Sequence, residues 1–379
     1  MSIIIKELDN NSKSQKKAFV KYPIELYKDC PYYVPSLILD ELGTLNVKKN
    51  PAFDYCEMQL FLAYKDKKIV GRIAAIINHS ANKIWERKCG RFGFVDFIND
   101  NDVVDALFNA AEKWMKDKGM DTIIGPMGFT DLDHEGLLIE GYDRVSTMST
   151  TYSYPYYREQ IERLGFEKDA DWKEFYIRVP TETPDRHRRI ANIVAERSKL
   201  KVLEIKSLKQ VTPYINKLFK LLNIAYKPLY GFAPLTDKQI DYYVKMYVPL
   251  IRWDIVVIVI EEETDDVVGF GIGIPNLSPA LIKSRGKLFP FGWIRLLKGL
   301  KCKNNRVADL LLMGVAPKYQ GKGVNAIIFD SFIKVTYKGG FRHVESNPEL
   351  ELNNKMVSLW DGFEAEQHKR RRAYTKKIV

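Results

Sequence analysis

The feature that most constrains the fold is an internal repeat. Apolar runs over 68–78 and 267–276 share the landmarks Val70-Gly71…Asn78 and Val268-Gly269…Asn276, 198 residues apart. Each is preceded by a second apolar run, 58–64 or 255–260, across a short charged turn. Each half therefore starts from two neighbouring buried strands. Gly165-Phe166-Glu167 and Gly362-Phe363-Glu364 recur at an offset of 197, each ahead of a terminal strand, 172–179 and 372–379. Between these anchors the first half offers strand 92–97, helix 103–118 and strand 122–124. The second offers strand 310–315, helix 324–338 and strand 342–345. Here the offset is about 220, so the second copy carries an insertion of roughly 20 residues after Asn276, balanced by one over 125–146 in the first.

Two copies of one plan predict an α/β protein of two tandem domains with mixed sheets. Residues 1–180 form the first and 185–379 the second, and Pro180-Thr181-Glu182-Thr183-Pro184 links them. A helix over 186–200 then leads into a strand over 202–205. Four cysteines lie far apart with no CxxC pair, which speaks against a disulfide scaffold or a cysteine zinc site. No apolar run approaches the length that spans a bilayer, and the first residues lack the order of a signal peptide. The expectation is a reduced, cytoplasmic protein without a transmembrane segment.

Charge separates the halves. Residues 1–180 hold 25 Lys+Arg against 28 Asp+Glu, and 181–379 hold 34 against 20. A basic second half calls for an anionic partner: a phosphorylated cofactor, nucleic acid or a membrane surface.

The sharpest motif joins strand 310–315 to helix 324–338: Val315-Ala316-Pro317-Lys318-Tyr319-Gln320-Gly321-Lys322-Gly323-Val324-Asn325. Pro317 ends the strand's ladder. Gly321 and Gly323 allow a tight loop, and the helix that starts at once turns its unpaired N–H groups to the same point. That is a diphosphate cradle, to which Gln320 and Lys322 add side-chain donors. It is neither a P-loop nor a GxGxxG turn. The corresponding junction in the first copy, 97–103, has no glycine and two aspartates, which cap a helix well and repel a diphosphate.

This stretch resembles the acyl-CoA-binding motif of the GCN5-related N-acetyltransferase (GNAT) superfamily, [QR]xxGx[GA]. Asn325 stands where the pattern has glycine or alanine. The order of strands and helices over 190–379 is similar to a whole domain of that family, and 1–180 to a degenerate copy without the cofactor loop. The resemblance implies an N-acyltransferase, in the first instance an N-acetyltransferase, that carries an acetyl group from acetyl-CoA to an amine on a small molecule or peptide, with no metal. It implies that Met313, Val315, Gln320, Gly321, Lys322, Gly323, Val324, Asn325 and Asn354 hold the cofactor. The general base is Glu345, with Asp309 second. Trp360 stands near the place of the family's thiol-donating tyrosine, and Tyr319 and Tyr374 are the substitutes considered. Two alternatives stand beside this reading. One is an aminoacyl-tRNA-dependent peptidyl transferase-like enzyme, which the basic half suits and the CoA-type loop opposes. The other is a non-catalytic binding protein of the same fold.

Two insertions carry residues of their own. Gly128-Phe129-Thr130-Asp131-Leu132-Asp133-His134-Glu135-Gly136 reads first as a solvated, capped loop and second as a metal or amine site. Residues 277–305 are rich in Lys, Arg, Phe, Trp and Leu and contain no acidic residue. They read first as a helix packing its apolar face, and second as a peripheral membrane contact, an acceptor cover or a nucleic-acid contact. In the tail 369–377, strand alternation sends successive basic residues to opposite faces.

Overall fold

The computed structural model describes residues 2–248, 251–301, 306–353 and 360–378. Up to residue 180 it contains strands β1 Ile4–Glu7, β2 Cys56–Lys65, β3 Lys68–Asn78, β4 Cys89–Phe97, β5 Thr122–Gly125, β6 Leu137–Glu140 and β7 Glu167–Arg178. The helices among them are α1 Lys13–Leu26, α2 Ile38–Thr44, α3 His79–Ile84, α4 Asn101–Asp117 and α5 Tyr156–Arg163. Beyond it come α6 Asp185–Arg197, β8 Leu200–Val202, α7 Leu208–Tyr226, α8 Asp237–Tyr247, β9 Val256–Glu261, β10 Val267–Pro275, α9 Ser278–Ser284, α10 Gly292–Lys301 and β11 Val307–Val315. The chain ends with α11 Val324–Lys338, β12 His343–Ser346, β13 Glu349–Leu350 and β14 Ala365–Lys377.

No single cut separates the two compact units. One comprises Met1–Lys173, Ser278–Leu296 and His368–Val379, the other Glu174–Leu277 and Leu297–Gln367. The insertion after Asn276 and the last strand thus fall with the first unit, and the end of β7 falls with the second.

In the first unit the sheet runs β1-β2-β3-β4-β5-β14. Its pairs are antiparallel except β4 with β5. Helix α4 covers one face because Val103, Val104, Leu107, Phe108, Ala111 and Met115 recur on one side of it and are all buried. Gly71 lets the helix approach: a Cβ there would lie 2.6 Å from Leu107 Cδ1. Phe92, Phe108 and Phe166 fill the space between in edge-to-face contacts.

In the second unit, the end of β7 is followed by β12, β11, β10, β9 and β8. Only the β11–β12 pair is parallel. Helix α11 lies on this sheet with Ile328 and Phe332 over Gly269, Gly271 and Gly273, where an added Cβ would come within 3.0–3.1 Å of those side chains. The strands read from sequence over 58–64, 68–78, 92–97, 122–124 and 310–315 all lie within strands of the structure, the one read over 255–260 begins one residue later at Val256 because Ile255 ends a 3-10 turn, and helix 324–338 is found at those bounds. Helices α1, α2, α7 and α8 have no counterpart in the sequence reading.

The tail behaves as its alternation requires. Lys369 and Arg371 point inward, donating to Val145 O (3.2 Å) and Thr151 O (2.5 Å). Arg372 makes a two-point pair with Asp171 (2.8 and 3.0 Å), and Arg370 lies 3.2 Å from the same carboxylate. Asp171 is 3% exposed. Burial works against its charge, and hydrogen bonds from Arg372 and Lys168 outweigh it, so its pKa falls below 3.8.

Asp171→Asn should therefore destabilise the fold at neutral pH by up to about 3 kcal/mol, since it leaves Arg370 and Arg372 only their longer contacts to Glu140 (3.6 Å) and Glu162 (3.9 Å). A folded-state pKa below the unfolded value of 3.8 means that this stabilisation is present above that pH and lost as pH falls through the folded value. Chemical denaturation from pH 7 to pH 3 checks both. Wild type should lose more stability than the variant on acidification, and equal losses would show that Asp171 titrates normally.

Candidate acyl-carrier site

The two copies differ most where their central helices begin. In the first unit, Asp100 caps α4: its carboxylate accepts from the N–H of Asp102 (3.0 Å) and Val103 (3.4 Å) and pairs with Lys65 (2.6 Å). Those amides are taken, and the charge beside them is already negative. In the second unit, Gly323 precedes α11 in the left-handed conformation (φ +85°) and no side chain caps the helix. Among the described residues, no acceptor outside the helix itself is found for the N–H groups of Gly321, Gly323, Val324 and Asn325, whereas the neighbouring Gln320, Lys322 and Ala326 N–H groups are used within the loop.

Several contacts hold that loop in place. Gln320 folds back to donate to Val315 O at the end of β11 (3.1 Å). Tyr319 is buried and donates to Glu261 (2.5 Å), beside which Lys318 sits at 3.4 Å. Helix α6 closes over Gly323, where a Cβ would meet Val194 Cγ2 at 2.8 Å. Gly321, also left-handed (φ +73°), faces open space, with no atom within 4 Å of an added Cβ. Lys322 is exposed and lies beside it.

Strand β11 leads from this loop to the candidate bases. Its ladder with β12 runs from Val307↔His343 to Leu310↔Ser346. Asn347 then bonds to Leu310 O and Leu311 O (3.1 and 2.8 Å), while β11 continues to Val315. The stretch 312–315 keeps β10 on one edge and leaves the other free of β12. Met313 and Val315 both lie in it. Tyr226 of α7 donates to Met313 O (3.1 Å), which the sequence reading did not anticipate.

Asp309 and Glu345 are register partners across β11 and β12, and Tyr176 is the partner of Glu345 on β7. In-register residues share a face of the sheet. Both carboxylates are buried, at 2% and 6% exposure. Asn276 donates to Asp309 (2.8 Å), and the Tyr176 ring stacks on His343 at 4.8 Å. Burial and the neighbouring Glu345 charge raise the Tyr176 phenol above its ordinary value. The structure thus brings Asp309 and Glu345 together below the opening of the strands, and the loop residues 320–325 together at its far end. Asn354 lies outside the described residues. The other two tyrosines have fixed partners: Tyr319 as above, and Tyr374 buried in the first unit on Glu162 (3.1 Å).

Sequence reasoning missed Glu349. Trp360 donates Nε1–H to both of its oxygens (3.0 and 3.1 Å). Burial raises its pKa from 4.5 to about 7 despite those bonds. A glutamate after Asn347-Pro348 carries no pattern that marks it; only the packing of Trp360 does.

The insert at 128–136 is capped as expected, and Asp131, Asp133, His134 and Glu135 are half-buried rather than fully solvated. Asp133 accepts from Thr130 N–H (2.9 Å), and Gly128 leaves room for it, since a Cβ would lie 2.3 Å from Asp133 Cβ. Burial raises Asp131 to about 7, Glu135 well above its usual range and nearby Asp40 to about 6. His134 donates Nε2–H to Met148 O (3.1 Å), and burial keeps its ring neutral. The solvated-loop expectation fails because the loop folds inward, with Arg91 bonded to Gly128 O and Phe129 O (3.2 and 3.4 Å). Among the described residues, no group of three or more His, Cys, Asp or Glu is arranged to hold a metal ion. Nor is any described helix long and apolar enough to cross a membrane.

No family model matches the chain. Protein YghO of Escherichia coli (strain K12) is 30% identical over 372 residues, which cover 97% of this chain and 94% of that protein. A bacterial ceramide synthase of Caulobacter vibrioides is 28% identical over 371 residues, covering 96% and 95%. Among solved structures, a tandem GNAT protein from the clavulanic acid biosynthesis pathway aligns over 100% of this chain and 99% of its own, at a TM-score of 0.58 and 10% identity. A GCN5-related glucosamine N-acetyltransferase region of a fungal multi-domain β-N-acetylglucosaminidase aligns over 99% of this chain and 38% of that one, at a TM-score of 0.59 and 12% identity. At these identities the solved structures establish the fold: two GNAT-like copies in tandem.

Glu349 supplies a pH test. A carboxyl whose folded pKa is raised favours the folded state most below its unfolded pKa of 4.5, and that contribution is lost as pH rises to about 7. Glu349→Gln keeps an acceptor for Trp360 and removes the titration. Its melting temperature should exceed wild type at pH 8 by roughly 2–4 °C for each kcal/mol recovered, and the gain should vanish near pH 4.5. A difference that does not change with pH would mean that the carboxyl is not perturbed.

Proposed function

The chain belongs to the tandem GNAT family that includes Protein YghO, and on that premise we propose that it is an acyl-CoA-dependent N-acyltransferase. The observation that carries this reading is the uncapped start of α11, set against the Asp100-capped start of α4. Four N–H groups without a described acceptor lie at the positive end of the α11 dipole, next to the open space at Gly321 and the exposed Lys322. A CoA diphosphate supplies the acceptors they lack. The edge of β11 that β12 leaves at 312–315, where Tyr226 takes Met313 O, gives the pantetheine amides a strand to pair with. One CoA is held per chain, since the amides at the start of α4 are already used.

In the reaction the amine nitrogen of the acceptor attacks the thioester carbonyl carbon. A C–N bond forms, the tetrahedral oxyanion collapses, the C–S bond breaks, and the thiolate leaves and takes up a proton. Glu345 receives the ammonium proton, with Asp309 as its register partner. Trp360 is no acid, and its N–H is committed to Glu349.

Acetyl is the acyl group that the motif at 320–325 suggests first. The name of the Caulobacter relative supports a longer one, because a ceramide is the amide of a fatty acid with a long-chain amino alcohol. A fatty acyl-CoA and a long-chain amine are therefore the first pair to test.

CoA titration by calorimetry tests the cradle. Asn and Asp both tolerate the left-handed backbone at Gly321, so Gly321→Asn and Gly321→Asp differ chiefly in charge. The Asp variant should bind CoA at least about tenfold more weakly than the Asn variant through like-charge repulsion. Equal affinities would show that the loop is only a turn.

Release of the CoA thiol from acetyl-CoA and from palmitoyl-CoA, each with sphinganine as acceptor, tests the chemistry. Glu345→Gln should lower kcat by roughly 10²–10⁴-fold with CoA affinity retained. No release with either donor would overturn the reading.

A further inference from the structure

The acid-free insertion exposes apolar surface that the proposed acyl transfer does not use. Helices α9 and α10 and the turn between them carry Ile282, Phe289, Phe291 and Trp293 at 37%, 67%, 65% and 43% exposure. Among the described residues, every exposed Phe or Trp side chain falls within 289–293. Single exposed apolar residues are ordinary on a protein surface, but three large aromatics on one short turn are not.

This turn is held rigidly. Leu281, Ser284 and Leu296 are buried beneath it. Ser278 donates to Ser146 O (2.9 Å), and Ile38 N–H donates to Gly286 O (3.0 Å). Gly286 is left-handed (φ +67°), and a Cβ there would lie 2.3 Å from Ser36 O. At Gly292 a Cβ would lie 1.7 Å from Lys287 O. Trp293 Nε1–H is satisfied by Pro290 O (3.0 Å), and Arg295 donates to Lys283 O (2.7 Å). The side chains that the sequence reading expected to be covered are thus divided. Leu281, Leu296 and Leu300 pack inward, whereas Ile282, Leu297 and the aromatic tip face solvent.

Charge decides the occupant. Lys283, Arg285, Lys287 and Arg295 are all exposed, and no acidic residue occurs between Leu277 and Lys301. A second copy of the same patch would bring like charges together. A bilayer with anionic headgroups meets both requirements: phosphates for the basic residues, and an interfacial layer in which Phe and Trp rings are stable.

We propose that the α9–α10 turn is an interfacial docking site that seats the protein on an anionic lipid surface. The aromatic tip enters the headgroup layer, and the flanking lysines and arginines pair with lipid phosphates. This proposal stands apart from the acyl-transfer reading, because it rests on surface residues that the cradle does not include.

The test is co-sedimentation of the full chain with vesicles of phosphatidylcholine alone or with phosphatidylglycerol added. Binding to the anionic vesicles should exceed binding to the neutral ones at least tenfold and should fall steeply with salt. Phe289→Ser/Phe291→Ser and Lys283→Ser/Lys287→Ser should each weaken it at least tenfold. These positions are exposed, so melting temperature should stay at the wild-type value. Gly321→Asp should sediment like wild type, which separates this site from the cradle. Equal binding to both vesicle types, or undiminished binding by Phe289→Ser/Phe291→Ser, would overturn the proposal. So would a wild-type dimer in light scattering that the aromatic variant dissociates, since that would assign the patch to a second copy.

Discussion

One buried carboxylate holds the end of the chain where the first unit needs it. Asp171 faces Arg370 and Arg372 of β14, and β14 in turn pairs with β5 from Thr122 to Gly125. Without an anion at that point, Arg370 and Arg372 would keep only their longer contacts to Glu140 and Glu162, and β14 would depend more on its ladders with β5 and β6. The unit closes only when residues more than 190 positions apart meet, so its sheet cannot be complete until the whole chain is present. The same strand turns Lys369 and Arg371 inward to backbone carbonyls, which is how a run that looks like a basic patch becomes part of a core.

The division between the copies follows from a rule about helix starts. Every helix begins with N–H groups that its own turns cannot satisfy. In α4 the chain answers with Asp100; in α11 it answers with two left-handed glycines and nothing else. That single difference separates a helix that is finished from one that has capacity left for an anion. Helix α6, packed over Gly323, keeps the α11 loop from rearranging to cap itself. The tandem fold supplies two equivalent places for such a site, and local chemistry leaves one of them open.

Buried ionisable groups mark where the fold departs from the shared plan. Asp131, Glu135 and Asp40 in the first unit and Glu349 in the second all have carboxyls raised by burial. Asp131 and Glu135 lie in a loop, where a sequence says which residues are present but not which way the chain folds, and Asp40 and Glu349 lie in elements of seven and two residues, too short to show a period. The 128–136 insert looked solvated because it is rich in acids. It turns inward because Gly128 lets Asp133 pack against the backbone and Arg91 holds the carbonyls beside it.

What the sequence by itself determined is what local periodicity and repetition encode. The duplicated strand pairs, the α4 and α11 helices, the tight loop at Gly321 and Gly323, and the aspartate cap before α4 were all legible, because each depends on residues within one or two turns of each other. The tertiary structure decided the rest. It placed β14 in the first unit, set Tyr226 on Met313 and Glu261 on Tyr319, and committed Trp360 to Glu349. It also buried Leu281, Leu296 and Leu300 of the insertion and left its aromatic tip exposed. These outcomes depend on contacts between segments far apart in the chain, and one sequence does not specify which of many compatible side chains will meet.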